Sequence, residues 1–182
     1  MSLIELIDNS KTDKNTIHSY LDTYENLFNK KKLEKINLLE VGIYNGGSIK
    51  LWSNYFINGT IYGIDITSIN EIFSENVKIF QNTDAYDQSF VDSYFKSTNF
   101  DILIDDGPHT FDTVVKFIEL YLPLLSKNGI FIIEDIQDWS WIDNLIQIVP
   151  DHYKQYIKVA DLRNIKNRYD DILFIIDLSD NV

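Results

Sequence analysis

The run LLEVGIYNGGSI at positions 38–49 limits what this chain can fold into more than any other part of it. Its apolar start breaks at Glu40 and Gly42, and glycine returns at Gly46 and Gly47, a pattern that predicts a strand feeding a glycine-built turn that opens a helix. In such a turn the missing side chains let a ligand lie against bare backbone, and the unpaired N–H groups of the new helix face it. A small ligand with a nucleoside part suits that cradle. Glycines that merely close a tight strand-to-helix connection would look the same, so the rest of the sequence has to decide.

From Leu38 onward, short β-rich runs alternate with helical periods: strands over 38–41, 60–64, 77–81, 100–104 and 130–133, with helices over 48–56 and 111–125. A helix carrying Ile142, Leu145, Ile146 and Val149 on one side follows, then strands over 156–160 and 172–176. This alternation, with strands apolar on both faces, predicts an α/β fold: a doubly wound, mostly parallel seven-stranded sheet covered on both sides. Residues 161–170 have no helical period, so the last two strands are expected to form a hairpin and the final strand to run antiparallel. Ahead of the cradle, Ile17, Tyr20, Leu21, Tyr24, Leu27 and Phe28 share one face at helical spacing after caps at Thr12 and Asp13, which predicts an N-terminal helical lead-in. No repeat, low-complexity tract or linker interrupts the sequence, and residues 1–182 are expected to form a single domain.

With 16 basic against 28 acidic residues the formal charge is −12, a field that repels phosphate backbones and anionic lipid surfaces and argues against nucleic acid or membrane as partner. The basic run Lys30 to Lys32 is expected to be a solvated helix end. The absence of cysteine excludes disulfides, thiolate metal sites and thiol nucleophiles. No apolar stretch approaches the roughly 18 to 20 residues of a membrane helix, and no leader pattern opens the sequence, so a soluble, cytoplasmic protein is expected.

In open α/β sheets the ligand sits outside the carboxyl ends of the strands, and here those ends carry acids. Glu40 closes the first predicted strand, Asp65 the second in YGIDI, Asp105 and Asp106 the fourth in FDILIDDGPHT, and Glu134 and Asp135 the fifth in IFIIEDI; Asp84 follows the third. Asp65, about twenty residues after Gly42, is placed to accept ribose hydroxyls, as an acid does in nicotinamide enzymes. Strands four and five are expected beside strand one, which would gather Asp105, Asp106, Glu134 and Asp135 in one crevice. Carboxylates that close raise one another's pKa unless a cation offsets them, and Mg²⁺ with its preference for oxygen ligands is the natural occupant. His109 then stands beside the metal as a candidate general base. Helix capping by Thr110 and Asp112 is the simpler alternative for this turn. Trp139 and Trp141, just past the second acid pair, are candidates for stacking on a sugar face, or for ordinary packing.

A dinucleotide fold wants G-x-G-x-x-G, whereas the middle glycine position here is Tyr44; the spacing E-x-G-x-x-x-G-G instead resembles motif I of the class I S-adenosylmethionine (SAM) dependent methyltransferases. LLEVGIYNGGS, YGIDI, FDILIDDGPHT and NGIFIIEDI taken together resemble the metal-dependent macrolide and rhamnosyl sugar O-methyltransferases, and TDKNTIHSYLDTYENLF and DLRNIKNRYDDILFII extend the similarity from Thr12 to Ile176. That resemblance implies that Glu40, Gly42, Gly46 and Gly47 hold the methionine part of SAM, Asp65 the ribose and Asp84 the adenine, with Asp105 near the amino group. It implies Asp106, Glu134 and Asp135 as Mg²⁺ ligands and His109 as the base. The implied acceptor is a sugar, nucleotide sugar or glycoside, with a homo-oligomer left open. Two departures are visible: Pro108 stands where the family usually has serine, and the antibiotic enzymes carry a further N-terminal region that this sequence lacks. Methylation of a catechol-like diol, a nicotinamide-dependent oxidoreductase and a non-catalytic SAM-binding protein are the competing expectations. The oxidoreductase lacks the middle glycine and any Y-x-x-x-K pair, and the non-catalytic protein leaves the acids without a purpose.

Overall fold

Strands that are apolar on both sides of the pleat need cover on both faces, and the fold supplies it. In the computed structural model, which describes residues 1–179, the strands are β1 (Asn37–Val41), β2 (Thr60–Ile64), β3 (Val77–Phe80), β4 (Phe100–Asp105), β5 (Leu125–Ile133), β6 (Ile157–Asp161) and β7 (Ile172–Asp177). They form a seven-stranded sheet in the order β3-β2-β1-β4-β5-β7-β6. β7 is antiparallel to β5 and β6, and the remaining pairs are parallel, as the hairpin expectation required. Helices α1 (Leu3–Leu6), α2 (Leu21–Phe28) and α3 (Gly47–Tyr55) cover one face, over Leu38, Ile102, Ile104 and Ile132. Helices α4 (Gln88–Tyr94), α5 (Phe111–Tyr121) and α6 (Trp141–Ile148) cover the other, over Leu39, Leu103, Phe131 and Phe174. Two short helices, α7 (Asp151–Lys154) and α8 (Arg163–Lys166), precede and follow β6. No helix among the described residues is long and apolar enough to cross a membrane.

The chain leaves β1 toward β2 and β3, then returns to place β4 on the other side of β1. That reversal opens a crevice at the carboxyl ends of β1 and β4, where ligands of such sheets bind. Register keeps the ends level: Val41 pairs with both Ile64 and Asp105, and Asp105 with Ile133. Backbone bonds continue past the strands, from Asp106 N to Val41 O at 2.8 Å and from Glu134 N to Asp105 O at 3.0 Å, so the acids leave the sheet side by side.

Four local expectations are corrected. The helical lead-in begins at Leu21, because the Asp13 carbonyl accepts from the N–H groups of Thr16, Ile17 and His18 and turns the chain before it becomes a helix. α5 stops at Tyr121 rather than continuing to 125, since Pro123 offers no N–H to an α-helical ladder. The hairpin loop contains α8. α4 was not expected at all; it is short, with Val91 its one fully buried residue, so its apolar period is weak, and its start is fixed by Asp87 accepting from Ser89 N at 2.8 Å.

Candidate active site

A cavity of about 1070 Å³ opens over the carboxyl ends of the strands. Its lining includes Gly42, Asp65 and Asp84 together with Asp106, His109 and Asp135. Tyr44, His109 and Asp135, three of the non-glycine residues held at positive φ (47°, 54° and 53°), also line it. Strained backbone of this kind persists where the surrounding structure holds it, and concentrates where chemistry or binding occurs.

The glycine turn is built for close packing of backbone. At Gly42, φ is +88°, and a Cβ would stand 1.9 Å from the Asp106 carbonyl oxygen, so the ends of β1 and β4 touch only because no side chain intervenes. At Gly47 a Cβ would stand 2.4 Å from the Lys11 carbonyl oxygen. That glycine, and Gly46 beside the Phe73 ring, make room for neighbouring protein and lie off the cavity lining. Asp65 accepts from the N–H groups of Ile43 at 2.7 Å and Tyr44 at 3.0 Å, and from the Thr67 hydroxyl. Partial burial works to raise its pKa, but these donors prevail and hold the carboxyl below its ordinary range. Glu40 lies behind the cavity, fully buried, accepting from Ser48 Oγ at 2.8 Å and Trp52 Nε1 at 3.1 Å.

The acids expected to share one crevice do converge, around a residue that the sequence pattern did not single out. The Lys14 ammonium, 1% exposed, lies 2.6 and 2.7 Å from the two Glu134 oxygens, 2.7 Å from Asp106 Oδ2 and 3.3 Å from Glu40 Oε1. The Tyr24 hydroxyl donates to Glu134, and the Tyr20 hydroxyl to Asp135. His18 Nδ1 lies between Asp135 Oδ1 at 3.3 Å and Asp171 Oδ1 at 3.4 Å. Asp105 turns away from the cavity, 3% exposed, and accepts from the Tyr86 hydroxyl at 2.6 Å. Facing the cavity, His109 Nε2 is 3.7 Å from Asp106 Oδ1 and 3.5 Å from Asp135 Oδ2.

The group carries a strong excess of negative charge. Burial opposes the charge on Lys14, but Asp106, Glu134 and Glu40 hold its pKa well above the usual lysine range. One ammonium does not satisfy all its neighbours. Burial, set against Lys14, pushes Glu40 up to about 7. Burial and the nearby Asp106 raise Glu134 well above the ordinary range. The same two causes raise Asp135, opposed by His18 and His109. Burial lifts Asp105 to about 7 against the bond from Tyr86.

Capping and acid clustering, alternatives for the DDGPHT turn, prove to be separate devices. Thr110 caps α5, accepting from Thr113 N at 3.3 Å, so the acids are not consumed in capping. Thr110→Ala should therefore cost about 1 kcal/mol, read as a lower urea midpoint with unchanged slope. The tryptophans lie off the cavity: Trp139 carries the Arg163 guanidinium 4.9 Å above its ring, and Trp141 meets Phe111 edge-on at 5.4 Å.

Among the described residues, two groups of side chains present donor atoms spaced to surround a cation: Asp106, His109 and Asp135, and Glu40, Asp106 and Glu134. The first opens into the cavity and its carboxylate and imidazole donors suit a divalent ion; the second encloses Lys14. The same cavity is lined by Gly42, Asp65 and Asp84.

Residues 39–136 match the family model described as a methyltransferase domain. The 8-demethyl-8-alpha-L-rhamnosyl tetracenomycin-C 2'-O-methyltransferase of Streptomyces olivaceus is 29% identical over 137 residues, covering 71% of this chain and 36% of that protein. The mycinamicin VI 2''-O-methyltransferase of Micromonospora griseorubida is 28% identical over 133 residues, covering 69% of this chain and 33% of its own length. This chain thus spans about a third of the length of these curated relatives. The crystal structure of the MycE methyltransferase of the mycinamycin biosynthetic pathway, in complex with Mg and SAH, superimposes with a TM-score of 0.77 at 22% identity, covering 97% of this chain and 54% of that one. At that identity the likeness establishes the shared fold.

Proposed function

We propose, from the premise that this chain belongs to the methyltransferase-domain family, that it is a SAM-dependent, Mg²⁺-assisted O-methyltransferase acting on a hydroxyl of a sugar or glycoside. The observation that carries the proposal is the single cavity that joins Gly42, Asp65 and Asp84 to Asp106, His109 and Asp135. The relatives named as sugar O-methyltransferases, and MycE with Mg and SAH, support the choice of chemistry.

In this reading Asp65 receives the ribose hydroxyls and Asp84 lies toward the adenine, while the Gly42 turn lets the methionine part approach backbone. Asp106 and Asp135, whose oxygens face the cavity, would hold the divalent cation; the part of Glu134 depends on Lys14, taken up below. A bound divalent ion supplies Lewis acidity that lowers the pKa of a sugar hydroxyl. His109, whose Nε2 faces the cavity beside Asp106 and Asp135, would take the proton from that hydroxyl. The cavity walls hold donor and acceptor in line, which removes much of the entropic cost of bringing two substrates together, and exclude water from the loss of the sulfonium charge. Trp139 and Trp141 are not part of the cavity lining, so acceptor contact is assigned to the cavity wall near Thr16 and Ile17 instead.

Calorimetry with SAM, S-adenosylhomocysteine and NAD separates the cofactor classes. Transfer of labelled methyl from SAM to rhamnosides and other glycosides, with and without EDTA, then tests acceptor and metal. Binding of S-adenosylhomocysteine without NAD, and transfer that EDTA stops, are expected. NAD binding in place of S-adenosylhomocysteine sinks the proposal; preference for a catechol over any sugar redirects it.

A further inference from the structure

Lys14 and Tyr20 ahead of α2, with Tyr24 in its first turns, donate to Asp106, Glu134 and Asp135 from behind, and His18 lies 3.3 Å from Asp135. Lys14 is the centre of that set. An ammonium has three donors, and here three carboxylates surround it at 2.6 to 3.3 Å. The oxygens of Glu40, Asp106 and Glu134 are close enough together to enclose a metal ion, yet the space among them holds the Lys14 nitrogen. Glu134 is engaged on both oxygens by Lys14 and on one by Tyr24, and it does not reach the cavity. Asp106 is divided: Oδ2 faces Lys14 and Oδ1 faces His109.

We propose that Lys14 is the resident counter-ion of the acid cluster, a positioning residue that takes Glu134 and one Asp106 oxygen out of the donor set and leaves an added divalent ion to the cavity-facing oxygens of Asp106 and Asp135. The statement about the divalent ion rests on the metal-assisted reading above; the statement about Lys14 does not. Glu134 then acts through Lys14, by fixing the ammonium that orients Asp106. Like charges a few ångströms apart repel, so the ammonium also disfavours a second metal ion behind the first.

The test uses the full chain titrated with MgCl₂ and MnCl₂. Asp135→Asn should weaken Mg²⁺ binding at least tenfold, whereas Glu134→Gln should change it by less than about threefold. Equal loss in the two variants makes Glu134 a ligand and overturns the proposal. Lys14→Met keeps the unbranched apolar stem but for the terminal atom and removes the charge, exposing three carboxylates to one another. It should bind one Mn²⁺ more than the unaltered protein does, and its melting temperature should rise more on adding Mg²⁺. Unchanged stoichiometry and an unchanged response to Mg²⁺ refute the role of Lys14. If Lys14→Met does not fold, adding Glu134→Gln should restore folding by removing the stranded acid, and failure of that rescue counts equally against it. A protein that binds no divalent ion until Lys14 is replaced would defeat the metal-assisted reading and uphold the counter-ion.

Discussion

Replacing His109 with asparagine should slow methyl transfer by about 10²- to 10⁴-fold, the range expected when a positioned general base is removed. Asparagine is the informative choice because His109 sits at φ 54°, a conformation that asparagine adopts more readily than alanine, so the backbone turn is best preserved. Affinity for S-adenosylhomocysteine should be unchanged, since Asp65 and Asp84 follow β2 and β3 whereas His109 follows β4. The variant also separates two roles for the same nitrogen. His109 Nε2 is within 3.7 Å of both Asp106 and Asp135 and could complete a cation site. If it acts as base, Mg²⁺ affinity holds while turnover collapses; if it is a ligand, the two fall together. Turnover within a few-fold of the unaltered protein would remove His109 from the chemistry altogether.

The acids were legible because strand ends are marked locally: an apolar run that stops at Glu40, Asp65, Asp105 or Glu134 announces where the sheet edge lies. The neighbourhood of β1, β4 and β5 followed from the topology rule, and the structure has that order. What each acid faces was not legible. Two acids adjacent in sequence leave a strand on opposite sides, so Asp105 turns to Tyr86 while Asp106 faces the cavity, and Glu134 turns to Lys14 while Asp135 reaches His109. Lys14 was missed for a related reason. Its neighbours Ile17, Tyr20, Leu21 and Tyr24 satisfy a helical period, and the period hides the turn that aims Lys14 inward. The spacing of Lys14 and His18, two basic groups on one side of an acidic protein's lead-in, was the available clue. A buried set of carboxylates requires a cation to offset it. The glycines misled differently: Gly46 and Gly47 are required by close passage of Phe73 and Lys11, so a motif that resembles a cofactor loop is partly a packing motif here.

Gly42→Ala should be the most disruptive single methyl group that can be added to the cavity wall. A residue other than glycine at φ +88° costs about 1 to 3 kcal/mol in backbone strain alone. The new Cβ would also stand 1.9 Å from the Asp106 carbonyl oxygen, closer than any real contact, and relieving an overlap of that kind adds about 1 to 3 kcal/mol. Neither partner yields cheaply, because Gly42 N donates to Ile64 O at 2.9 Å and Asp106 N donates to Val41 O at 2.8 Å, which ties both backbones into the sheet. For a domain of this size the combined cost should lower the melting temperature by roughly 5 to 20 °C. The damage should not be confined to stability. Pushing the Asp106 backbone away moves its carboxylate from both Lys14 and His109, so Mg²⁺ and S-adenosylhomocysteine affinities should fall together in whatever fraction remains folded. Gly47→Ala supplies the contrast, since Gly47 itself lies off the cavity lining and its Cβ would meet the Lys11 carbonyl: it should destabilise the fold with a smaller direct effect on nucleoside binding. A Gly42→Ala protein that melts normally and binds both ligands normally would mean that the β1 and β4 ends are not held in contact, and the shared cavity on which the proposed chemistry depends would lose its structural basis.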